Sequence, residues 1–193
     1  MVEHTVAHVD EAGARLPDGQ RLYVVAAVLT AVSTHEHITT TLATMQEAGL
    51  PLHYRTERYE RRLAVAKTLG EFPLHGAILL TTGCGKADQE HARAQLLREL
   101  LPRLEHIEQA RQVVLESRGG GDRHDRRTCE RLRRSRRITA ALRVDHAGKA
   151  LPLLWPADWV ASAYVAAHHH EEWEPWETIN NAHLIEITTV DPG

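Results

Sequence analysis

Residues 5–10 and 21–30 read as β-strands on either side of a turn, and everything after them alternates between strand and helix patterns. The first run, Thr5-Val6-Ala7-His8-Val9-Asp10, is apolar and ends in an acid; Asp10-Glu11-Ala12-Gly13 is expected to break it, and Pro17-Asp18-Gly19 is a turn sequence. The second carries Leu22, Tyr23, Val24, Val25 and Val28 and suits a mostly buried strand. A hairpin is the simplest pairing of the two. Beyond it the spacing predicts helices over 34–49, 56–69, 86–104, 125–136 and 152–169. It predicts strands over 75–82, 112–116, 138–144 and 184–190, and a short extended piece over 52–55. Leu96, Leu97, Leu100 and Leu104 make the apolar stripe of the longest helix. A starting hairpin followed by strand–helix alternation implies an α/β chain: a mixed sheet with helices on both faces. No stretch is long enough to act as a linker. One domain over 1–170 is therefore expected, with an acidic tail over 171–193 packed on it. The tail holds a loop with Trp173, Pro175 and Trp176 and then a final strand.

The chain is 42% hydrophobic and 25% charged over 193 residues, enough for a packed core. Cys84 and Cys129 have no partner at zinc-ligand spacing and do not form a disulfide framework. The first ten residues lack the basic-then-apolar pattern of a secretion signal, and no apolar run approaches a membrane span. A cytoplasmic protein without membrane contact is the expectation. Charge is unevenly spread. Residues 118–137 carry nine arginines and three acids, a local net of +6, which leaves −9 on the rest of a chain whose net is −3.

Acids at strand ends matter because ligands of α/β sheets bind there. Asp10 follows Val9, and Glu116 follows Val113-Val114-Leu115. Asp158 interrupts an apolar stretch over 151–165, where an unpartnered charge is costly to bury. Each has an ordinary reading: Asp10 as a turn former, Glu116 as a partner of Arg118, Asp158 as a helix acid satisfied by backbone. Together they suggest one pocket in which a divalent cation offsets three negative charges, and an all-oxygen site suits Mg²⁺ or Mn²⁺. Glu11 turns to the opposite face if the strand continues.

With Asp10-Glu11-Ala12-Gly13, Leu52-His53-Tyr54, Val114-Leu115-Glu116 and Ala157-Asp158-Trp159 in this order, the chain resembles the ribonuclease H-like proteins grouped as domain of unknown function 3800. The resemblance spans roughly residues 5–167. It departs at Ala12, where the family has Ser, and at Trp155-Pro156. It implies a ribonuclease H-like sheet and a nuclease with two Mg²⁺ or Mn²⁺ ions hydrolysing phosphodiesters. Asp10, Glu116 and Asp158 would bind metal, Asp122 or Asp125 would be a fourth acid, and Glu11 and His53 would support them. The alternative is a non-catalytic ribonuclease H-like module that binds nucleic acid or protein.

Arg123, Arg126, Arg127, Arg131 and Arg134 fit a phosphate-binding helix. Their ordinary reading is a solvated face paired with the acidic body, and no aromatic residue among them supports base stacking. Nucleic acid is the expected partner, RNA or DNA undetermined, with a homo-oligomer through the tail tryptophans as a further expectation. Gly83-Cys84-Gly85-Lys86 lacks the spacing and the Ser or Thr of a phosphate loop.

Overall fold

The computed structural model describes residues 4–47, 49–72, 74–81 and 89–191; the Gly83-Cys84-Gly85-Lys86 motif lies outside them. The strands are β1 (Thr5–Arg15), β2 (Arg21–Ala31), β3 (His75–Thr81), β4 (Gln112–Glu116), β5 (Arg143–Ala147) and β6 (Ile185–Thr189). The helices are α1 (His35–Thr44), α2 (Tyr59–Gly70), α3 (Gln89–His106), α4 (Asp122–Arg134), α5 (Trp155–His170) and α6 (Trp173–Ile179). Among the described residues the strands form one six-stranded mixed sheet in the order β5-β4-β1-β2-β3-β6. β2 is antiparallel to both β1 and β3, while β4 runs parallel to β1, β5 to β4 and β6 to β3.

Strand alternation divides the core into two. Ala12, Leu22, Val24, Ala26 and Val28 face the layer of α1, α2, α5 and α6. Ala7, Val9, Tyr23, Val25, Ala27 and Leu29 face α3 and α4. α5 is apolar around most of its circumference because it lies between the sheet and α6, so it reads as a buried helix rather than an amphipathic one.

Three expectations need correction. β1 does not break at Asp10: it pairs with β2 from Thr5 opposite Ala31 to Arg15 opposite Arg21. Gly13 pairs with Tyr23 inside the strand, and glycine suits the close approach there, since a Cβ would stand 2.8 Å from the Leu22 carbonyl oxygen. The strand predicted over 138–144 is instead β5, starting at Arg143. Ile138 and Leu142 are buried under α3 and α4 and pin the connection before it. The Trp173–Trp176 loop is helical. Pro175 sits in the first turn of α6, where its missing N–H costs nothing, and Trp176 and Ile179 anchor it to the core. Trp176 is thus unavailable for an oligomer contact, while Trp173 is about half exposed and packs on His168.

The described part of the tail belongs to the same body: α6 packs on α2 and α5, and β6 extends the sheet beyond β3. No helix among the described residues is long and apolar enough to cross a membrane.

Candidate active site: an acidic cleft with a lysine at its edge

The parallel pairing of β1 with β4 ends at Val9 opposite Leu115, which sets the next residues of each strand, Asp10 and Glu116, side by side. Both belong to the set of alternate side chains that turns to the α5 side of the sheet. Asp158 reaches them from the first turn of α5, where the helix dipole favours an acid. The three acids line one cleft of about 370 Å³, together with His53, Ser162, Lys149 and the arginines 21, 55 and 118. All three are buried, at 5 to 6% exposure.

Electrostatics follow from this crowding. Burial, then a hydrogen bond with Glu116 and the charges of Glu116 and Asp158, push the Asp10 carboxyl up to about 10; Lys149 opposes the shift. Asp10 Oδ1 accepts a hydrogen bond from the Glu11 N–H at 2.7 Å. Asp158 is the best-held of the three. Its Oδ2 accepts from the Tyr54 N–H at 3.0 Å and lies 2.8 Å from His53 Nδ1, and its Oδ1 accepts from the Ser162 hydroxyl at 3.4 Å. Its ordinary reading, a helix acid satisfied by backbone, is therefore part of the picture, but the backbone group comes from 104 residues away.

Glu116 does not pair with Arg118. Its Oε1 lies 3.2 Å from Lys149 Nζ and has no aligned hydrogen-bond donor. Burial works against the Lys149 charge, but its approach to Glu116 and the charges of Glu116, Asp10 and Asp158 outweigh it and hold the ammonium above its ordinary pKa.

Asp122 and Asp125, the candidates for a fourth acid, do not line the cleft. With His146 they form a separate group whose ligand atoms lie within 4.8 Å of one another. Its oxygens are already engaged. Arg93, fully buried on α3, holds Asp125 with Nε and Nη2 at 3.0 and 3.1 Å; Arg118 adds a bond at 3.2 Å and His146 one at 3.1 Å. Asp122 accepts from the Ser117 hydroxyl at 2.7 Å and the Arg118 N–H at 2.8 Å. A cation here would have to displace two guanidiniums, so this group suits an ion network better than a metal. Glu11 turns away from Asp10 as expected and joins that network, pairing with Arg93 and Arg118.

Arg123, Arg126, Arg127, Arg131 and Arg134 are all exposed on α4, whose buried side is Asp122, Asp125, Thr128, Cys129 and Leu132. Part of the solvated-face reading holds, since Arg134 reaches Glu130 at 3.4 Å and the following Arg137 reaches Glu99 at 3.2 Å. Ser117-Arg118, which line the cleft, lead into α4 at Asp122, and the helix runs along the face of the sheet opposite α5.

Lys149, Arg93 and Ser162 were not legible as site residues. Arg93 alone left a signal, a charge at the helical position that extends the Leu96, Leu97, Leu100 stripe. The sequence matches no family model and no curated protein.

Proposed function

We propose that this protein is a ribonuclease H-like nuclease that uses Mg²⁺ or Mn²⁺ to hydrolyse phosphodiester bonds of nucleic acid. The observation that carries the reading is the meeting of three buried carboxylates, from β1, β4 and α5, in a cleft rimmed by arginines. The mixed sheet that opens with a hairpin and carries helices on both faces is the scaffold such a reading requires. The donor set fits a hard divalent cation. It is all carboxylate oxygen, Glu116 Oε1 lacks an aligned donor, and burial together with the neighbouring acids raises the Asp10 carboxyl well above its ordinary pKa.

In this reading Asp10, Glu116 and Asp158 are the metal ligands. When bound, the metal would polarise the scissile phosphate and lower the pKa of the attacking water. Tyr54 N–H, Ser162 and His53 fix the Asp158 carboxylate. A His53 ring that donates from Nδ1 keeps Nε2 as a base able to hold a proton. Arg21 lines the cleft, and together with the exposed arginines of α4 it attracts the nucleic-acid backbone without regard to sequence.

Lys149 favours the second reading, a non-catalytic binding module, because it supplies part of the compensating charge from within the chain. Labelled RNA and DNA, single- and double-stranded, incubated with Mn²⁺, Mg²⁺ or EDTA, separate the two. Cleavage that needs metal and vanishes in Asp10→Asn is the expected result. Folded wild-type protein that binds the oligonucleotides and cleaves none under any metal establishes the binding module instead.

A further inference from the structure

Two carboxylate clusters among the described residues are neutralised in opposite ways. Around Asp125 the compensating charges are arginines; Arg93 is fully buried and grips the carboxylate with two nitrogens. Such a fork holds its geometry and does not leave. Around Asp10, Glu116 and Asp158, where His53 reaches Asp158 at 2.8 Å, the nearest lysine or arginine charge among the described residues is Lys149, in a chain with only three lysines among its 23 basic residues. Its side chain is 58% exposed and meets Glu116 Oε1 at 3.2 Å without an aligned hydrogen bond on that oxygen. Its main chain is tethered separately, since the Trp155 indole N–H donates to the Lys149 carbonyl at 2.7 Å. The ammonium can therefore swing on its flexible four-carbon stem without moving the tethered main chain.

We propose that Lys149 is a detachable counter-ion for the carboxylate cluster, and that a divalent cation enters the cleft by displacing its ammonium from Glu116. The inference rests on the metal-binding reading above. The lysine offsets one negative charge of the cluster, and a divalent cation takes its place at Glu116. Metal binding then leaves a free cation at the rim of the cleft, which Lys149 lines beside Ser117 and Arg118.

The test is Mn²⁺ binding by calorimetry on the full chain, comparing wild type, Lys149→Met and Arg55→Gln. Arg55 lines the same cleft, but its guanidinium is bound to the Gly13 carbonyl at 2.8 Å and not to an acid. Removing a competing charge at close range is expected to tighten Mn²⁺ binding about tenfold in Lys149→Met, with a much smaller change in Arg55→Gln. Binding in Lys149→Met alone, with none in wild type, also supports the displacement. Equal or weaker binding in Lys149→Met, or equal tightening in Arg55→Gln, overturns it while the metal reading stands; no binding by any of the three overturns both. A second readout uses unmodified protein. Reductive methylation of Lys149, mapped by mass spectrometry, should quicken severalfold when saturating Mg²⁺ frees the amine, with Lys67 unchanged as the internal reference. An unchanged Lys149 rate in protein that binds Mg²⁺ counts against displacement.

Discussion

Asp10 and His8 sit two residues apart on one strand and make opposite demands on pH. Asp10 is shifted up to about 10 because burial and two neighbouring acids penalise its charge. The folded chain therefore holds a proton that the unfolded chain has released, and this contribution to stability declines as pH rises from about 4. Asp10→Asn should abolish metal-dependent cleavage yet raise stability at pH 8 in the absence of metal, as read by urea unfolding. His8 is pushed down to about 4 by burial and by the nearby His35. Here the unfolded chain takes up a proton that the folded chain refuses, so stability is full above about 6.5 and falls as pH drops towards 4. The difference is about 3 kcal/mol. His8→Leu should flatten that acid limb when unfolding is compared at pH 7 and pH 4.5, since the buried Nδ1 has no partner to lose.

The elements are joined at close tolerances. Gly76 brings β3 against β2 so tightly that a Cβ would fall 2.1 Å from the Ala27 carbonyl oxygen. Gly76→Ala must push the two backbones apart, and a loss of about 2 kcal/mol or more is expected in chemical denaturation. α3, α4 and β1 meet at Arg93, which holds Asp125 and Glu11 with no solvent exposure. Arg93→Ala should cost about 3–5 kcal/mol, because it leaves buried carboxylates without their charge partner. Because Glu11 is bonded next to Asp10, the same variant should lower the affinity for Mn²⁺ even where it remains folded.

At the scale of the whole molecule, charge is segregated between two faces. The acid cluster opens on the α5 side, and the densest arginine surface lies on α4 across the sheet. A nucleic acid held by both must pass the C-terminal end of β4 at Ser117-Arg118, just before α4 starts at Asp122. Arg127→Glu with Arg131→Glu should then weaken oligonucleotide binding and reduce its salt dependence by roughly 0.7–0.9 in log–log slope for each phosphate that is no longer neutralised. An unchanged slope, measured by fluorescence anisotropy from about 50 to about 200 mM salt, would assign α4 to solvation alone.

What the sequence determined by itself is what depends on neighbours along the chain. The apolar runs of the starting hairpin, the Leu96 to Leu104 stripe and the strand 112–116 state their own periodicity, and three acids stand out against apolar surroundings. Only the tertiary structure decided the rest. β1 runs through its glycine because β2 offers eleven residues to pair with, a fact stored on the other strand. Asp122 and Asp125 leave the cleft because Arg93, some thirty residues earlier, neutralises Asp125 on the far side of the sheet and Ser117 and Arg118 hold Asp122 beside it. Lys149 acquires its place from the register of β4 against β5, which sets Glu116 opposite Ala147, two residues before the lysine. Charges act through space, so which acids stay available for a ligand is settled by contacts between distant segments.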